Sequence, residues 1–238
     1  MRCHSWTASR CPAAAVLTRR HFAFLTTPRW IALTLTWLLL LPLFHALSEW
    51  QWRRLHQRQT FNALVNRNLS ADPIPAALLL RPNGVTLTAL PSDVQWRQVS
   101  MCGIWQPQQQ VLVRRKSLDA QTGFWVATPL TSTDLTLVIV RGWLPAGASS
   151  RDTPQVVPPP TGTVCVTARL RNAPTRTRPE PADLPPGQVD LLEPVAIAAD
   201  AVAAGYGELV VSNPESATGL TPWPAPERGE LQQQAQQH

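Results

Sequence analysis

The segment Trp30 to Leu47, WIALTLTWLLLLPLFHAL, runs 18 residues without a formal charge. That is the lower end of what crosses a bilayer as a helix. Trp30 on one side, with Trp50 and Trp52 on the other, stand where interfacial tryptophans anchor a span. A cleaved signal peptide is the rival reading. It fits less well, because the preceding segment is long and Phe44-His45-Ala46 puts a bulky residue where a small one is wanted. The expectation is an uncleaved anchor.

Charge supports the same assignment. Arg2, Arg10, Arg19, Arg20 and Arg29 precede the run without a single acid and supply five of the six net positive charges. The remainder holds 16 basic and 15 acidic residues, so no basic recognition face exists and nucleic acid is not an expected partner. Positive residues stay on the cytoplasmic side. The expected placement is therefore the cell membrane, single-pass, with a cytoplasmic N-terminus and an extracytoplasmic main domain.

The chain divides by composition into a basic segment (1–29), the transmembrane helix (30–48), a stalk helix (49–72), a β-rich domain (73–212) and a Pro/Gln-rich tail expected to be disordered (213–238). In the stalk, Leu55, Phe61, Leu64, Val65 and Leu69 share one broad helical face. Pro73 and Pro75 end it. Strands are expected at 94–101, 111–115, 124–130, 135–143, 163–170 and 207–211, separated by Pro/Gly-rich loops. A short helix is expected between Pro194 and Gly205. The 24 prolines argue against a helical bundle. The fold class is membrane-anchored α+β: one N-terminal transmembrane helix and an antiparallel sheet or open barrel with flanking helices.

Cysteine and histidine narrow the chemistry. Cys3 and Cys11 precede the span; Cys102 and Cys165 follow it, with no C-x-x-C spacing. The latter two either pair, in an oxidising compartment, or are two half-buried small apolar residues, which is the favoured reading. The histidines are His4, His21, His45, His56 and His238, so the β-rich domain has none. No G-x-S-x-G, H-E-x-x-H or phosphate-binding glycine loop occurs. No catalytic or metal-ligating residue is assigned, and the chain reads as a non-enzyme.

What remains is four motif blocks in order. The first is Leu47-Ser48-Glu49-Trp50-Gln51-Trp52-Arg53-Arg54. The second is QVSMCGIW (98–105), containing Gly103 and Trp105, followed by VLVRR (111–115), containing Arg114. The third is Gly123 with FWVATPL, containing Thr128 and Pro129, then LVIVRGWLP (137–145), containing Arg141, Gly142 and Trp143. The fourth is GTVCVTARLR (162–171). Together they resemble the surfeit locus protein 1 family of cytochrome oxidase assembly factors over about residues 47–211. The first block departs by carrying Ser48 where the family has glycine.

The resemblance implies a non-catalytic assembly factor for an aa3-type cytochrome c oxidase, supporting haem a insertion into subunit I or stabilising it. Its implied partners are subunit I, haem a synthase and the bilayer. The family normally ends in a second transmembrane helix whose histidine is implicated in binding haem a. Here LQQQAQQH follows Glu230 instead, which reads as a single-span variant or as a truncated or frame-shifted form. His238 lacks the motif context and is not carried over. His45 is the intramembrane candidate for haem; the alternative is a neutral imidazole bonded to helix backbone. No cofactor is expected in the chain as given.

Local readings compete at each motif. Trp50 and Arg54 serve either as interfacial anchors or as partner contacts. Gly103 and Gly142 relieve twist or allow close backbone approach. Thr128-Pro129 is expected to end a strand, and Arg141 to pair with a carboxylate. The alternative function is a single-span envelope protein whose β-rich domain binds a soluble ligand or a peptide; an extracytoplasmic hydrolase is the weakest reading.

Overall fold

The computed structural model describes residues 27–147, 152–181, 183–215 and 219–224. Most of the basic N-terminal segment, the tail beyond Pro224 and His238 lie outside these residues. The chain forms two compact units, Met1–Gln57 and Arg58–His238.

The first unit is described through helix α1, Pro28–Ser70, whose final turns belong to the second unit. Leu33, Leu35, Trp37, Leu38, Leu39, Leu41, Leu43 and Phe44 are all exposed along it. Water would not tolerate so continuous an apolar surface, and the helix is long and apolar enough to cross a membrane. Thr34 and Thr36 donate their hydroxyls to the carbonyls of Trp30 and Ala32, both at 2.8 Å, so neither polar group is left unpaired. His45 Nδ1 lies 3.8 Å from Glu49, which also holds Arg53 at 3.1 Å.

In the second unit the end of α1 packs Phe61, Val65 and Leu69 against Trp96. The buried Asn68 amide donates to the carbonyls of Asp93 at 2.6 Å and Gln95 at 2.8 Å. These bonds fasten the helix to a turn over Ser92–Trp96, where Trp96 adopts φ 68°. The expected strand at 94–101 is therefore displaced, because its first four residues belong to this turn and to the connection after it.

The strands are β1 (Ile74–Pro75), β2 (Gln98–Trp105), β3 (Val111–Leu118), β4 (Gln121–Thr131), β5 (Thr136–Pro145), β6 (Thr163–Asn172), β7 (Gln188–Val189) and β8 (Gly205–Asn213). The sheet order is β1-β2-β6-β8-β5-β4-β3-β7, and a further β2–β4 pairing closes β2, β6, β8, β5 and β4 into a ring. The class is as expected, α+β with a β-rich barrel. The sheet is mixed: β1–β2, β5–β8 and β3–β7 are parallel. The flanking helices are α2 (Ala76–Leu80) and α3 (Pro194–Ile197). The helix expected to reach Gly205 is one turn long, because Ala198 already takes an extended conformation.

Alternation along the strands makes two large cores and a smaller cluster of Leu112, Phe124 and Val126. Val99, Met101, Leu130, Leu137, Ile139 and Val164 fill the barrel. The opposite face of β5, with Val138 and Val140, packs under the segment carrying Leu192, Ala198 and Ala201. The described part of the expected disordered tail is also placed. Thr221 exchanges backbone hydrogen bonds with Trp143, at 2.8 and 2.9 Å. Arg169 donates to the Trp223 carbonyl at 2.8 Å, and the Trp223 ring meets Trp125 edge-on.

Candidate functional site

The Arg141 motif lies on a β-bulge. Along β4–β5, Ala127 faces Val140 and Val126 faces Gly142, so Arg141 is the extra residue between two register positions. A bulge re-aims the side chain it carries. Arg141 Nη1 donates to Gln110 Oε1 at 3.0 Å, and Nη2 to the Val157 carbonyl at 3.2 Å. Thr128, fully buried, donates to the same Gln110 oxygen at 3.1 Å. The guanidinium carbon lies 5.8 Å from the centre of the Trp105 ring.

The carboxylate expected for Arg141 is absent: among the described residues its hydrogen-bond partners are neutral acceptors. With the residue only 4% exposed, burial pulls the guanidinium pKa down to about 10. Arg141 Nε and Trp105 Nε1 are also buried without a hydrogen-bond acceptor among the described residues. The strand therefore holds a cation in a place that solvates it poorly.

Pro129 also departs from expectation. It does not end β4, which continues to Thr131. Ala127 is the last β4 residue paired with β3, and Leu130 the first paired with β2. The Pro129 carbonyl accepts from the Gln106 amide at 2.9 Å, so its ring nitrogen faces the same gap, where no donor is needed. Proline marks the change of partner strand rather than the strand end.

The glycines explain themselves by approach. A β-carbon on Gly103 would collide with the Thr131 carbonyl, at the seam where β2 meets β4 and the ring closes. One on Gly142 would stand 2.9 Å from Leu220 and from the Thr221 carbonyl, blocking the strap over β5. Gly123 sits under the indole of Trp143, whose Nε1 donates to the Lys116 carbonyl at 2.8 Å. Arg114 is half-buried where the β3–β4 register shifts between Val113 and Lys116.

The structure thus gathers Thr128 and Arg141 on Gln110, with Trp105 beside the Arg141 guanidinium, and seats Trp143 on Gly123. Trp50, Gln51, Arg54 and His45 belong to the first unit; there the Arg54 guanidinium lies 5.4 Å over the Trp50 ring.

A second charged group was not legible in the sequence. Glu208, 1% exposed, lies between Arg169 at 3.7 Å and Arg171 at 3.5 Å. Arg171 stacks 3.4 Å over Trp96, and the Lys116 ammonium 3.9 Å over Trp125. Burial, against the attraction of Glu208, lowers the Lys116 pKa. Tyr206 beside them is raised to about 12, first by burial and then by Glu208. The available signals were Glu208 within the strand run GELVV and the Arg169–Arg171 spacing, which puts both arginines on one strand face. Gln110 carried no signal, since it lies in a polar turn.

The two cysteines correct another expectation. Cys102 and Cys165, directly opposite on β2 and β6, form a disulfide with a Cα–Cα distance of 4.0 Å. Both are exposed rather than half-buried. Among the described residues no group of three or more His, Cys, Asp or Glu side chains could hold a metal ion.

These elements define a class: a small mixed β-barrel, with buried arginines, whose chain also carries a helix able to span a membrane. The SURF1 family model matches residues 38–238, and the chain belongs to that family. It is 30% identical over 153 residues to uncharacterized SURF1-like proteins of Mycobacterium bovis and Mycobacterium tuberculosis. Those alignments cover 63% of this chain and 55% of each relative, so the chain spans about half the length of the relatives it matches.

Proposed function

We propose that this chain is a membrane-anchored, non-catalytic assembly factor for an aa3-type haem–copper cytochrome c oxidase. It supports haem a insertion into subunit I or stabilises that subunit, with haem a synthase as a second partner. The observation that carries the reading is the family match over residues 38–238, which contains all four motif blocks in order. The motif residues of the barrel support a scaffold role: Gly103 at the seam, Gly123 beneath Trp143, and Thr128 with Arg141 on Gln110. Trp50 and Arg54 are read as interfacial anchors, and Gln51 between them is exposed.

The five arginines before the span support a cytoplasmic N-terminus and an extracytoplasmic barrel. Alkaline phosphatase fused after Gln51 is expected to be active; activity of a cytoplasm-dependent reporter alone at that site would reverse the orientation.

A haem a bound by the barrel is not part of this reading. Haem iron needs an axial donor such as histidine or thiolate. The barrel sequence from 58 to 237 has no histidine, and Cys102 and Cys165 are joined to each other. The test is to delete the gene and record reduced-minus-oxidised spectra of membranes. The haem a band should fall and return with the wild-type gene. An unchanged band in the deletion strain would end the assembly reading.

A further inference from the structure

We propose that the Cys102–Cys165 disulfide is a thiol–disulfide exchange site that reacts with a dithiol while the barrel stays folded. The assignment is independent of the oxidase reading. Exchange needs a thiolate to reach a sulfur, and buried disulfides deny that access. Here both cysteines are exposed on the outer face of β2 and β6. They lie in an open cleft bordered by Pro75, Ser100, Thr167, Val211 and Asn213. These five border residues are uncharged, so no carboxylate among them repels an incoming thiolate.

The second requirement is that the fold survives the break. Residues Gln98 to Ile104 pair without interruption with Thr163 to Arg169, and β6 is paired on its other side with β8. Val99, Met101, Val164 and Val166 fasten the reverse face of the same ladder into the barrel core. The sulfurs therefore link two strands already held by backbone bonds and packing. Opening the link leaves both strands in register.

The step balances simply. One thiolate of the dithiol attacks the sulfur of either cysteine, the protein S–S bond breaks and a mixed disulfide forms. The second thiol of the reagent then displaces the remaining cysteine. The protein gains two electrons and two protons, and the dithiol becomes its own disulfide.

The test uses the full chain in detergent with Cys3→Ser and Cys11→Ser, so that only this pair is counted. Thiols released by dithiothreitol are counted by the gel shift of a maleimide polymer, while tryptophan fluorescence follows the fold. The expected result is release of two thiols in plain buffer, first order in dithiothreitol, with unchanged fluorescence. Urea below the unfolding transition should scarcely alter the rate. Release that rises roughly tenfold per molar urea would mean that the bond opens only on unfolding, and would overturn the proposal. Thioredoxin provides the second arm. If it also releases both thiols, the cleft admits protein dithiols; if only dithiothreitol does, the site serves small dithiols. Release by neither reagent from the folded protein overturns the site.

Discussion

The indole of Trp143 occupies the place where a side chain on Gly123 would begin: a β-carbon there would lie 2.5 Å from two ring atoms and closer still to the Leu144 carbonyl. Gly123 faces Pro145 across β4–β5, and Trp143 faces Trp125, so the ring leans across two register positions. Gly123→Ala should cost about 3 kcal/mol, since neither the strand backbone nor a 5% exposed indole can move aside cheaply. Urea denaturation should show a lower midpoint at unchanged slope. A variant as stable as wild type would show that the ring can re-seat.

Gln110 holds two buried donors on one oxygen. Gln110→Leu should destabilise by about 2–3 kcal/mol, because it strands the Thr128 hydroxyl and one arm of the Arg141 guanidinium. Arg141→Met removes the cation that needs the acceptor. The double variant should therefore cost clearly less than the two single changes added together. Additive costs would mean that Arg141 does not depend on Gln110.

Tyr206 is the single tyrosine in the chain, so its phenolate absorbance can be read without assignment. It should titrate at about 12 in the folded protein and near the ordinary value of 10 in denaturant. Folding favours the protonated phenol. This contribution to stability is fully present below the unfolded pKa and is lost as pH rises from 10 through 12. Glu208→Gln should bring the folded value part of the way down, leaving the effect of burial. A folded-state titration at 10 would refute the buried placement of the ring.

Co-expression with haem a synthase, followed by purification in detergent, should yield a chain with a weak Soret band per protein. The reason lies in the donor set: the barrel sequence has no histidine, and its cysteines are tied together. His45, the remaining intramembrane candidate, lies 3.8 Å from Glu49 on its own helix. Near-stoichiometric haem a lost on His45→Ala would instead make that imidazole the ligand. Near-stoichiometric haem a retained in His45→Ala would point to a donor elsewhere.

What the sequence determined by itself is what periodicity and local sterics encode. The run from Trp30 to Leu47 has one physical destination, a helix exposing apolar side chains to an apolar medium, and α1 is that helix. The unbroken Leu137–Val140 run requires burial on both faces, and β5 has a core on each side. The strand carrying Cys165 alternates through its first half, which set the outward side of Cys165, while Ala168, Arg169 and Leu170 are all buried past the register shift. Tertiary structure decided whatever depends on two segments meeting. Opposition of Cys102 to Cys165 is a matter of β2–β6 register across 63 residues, which no local pattern specifies. The parallel placement of β8 beside β5 likewise follows from a crossover, and the ring closes at a separate seam, where Gly103 of β2 meets Thr131 of β4. Arg141 was legible as a charge needing a partner, but its acceptors were not. A one-residue bulge turned it toward the amide of Gln110 and the Val157 carbonyl instead of a carboxylate. Local sequence sets which side chains must be hidden; register and bulges set what each one finds there.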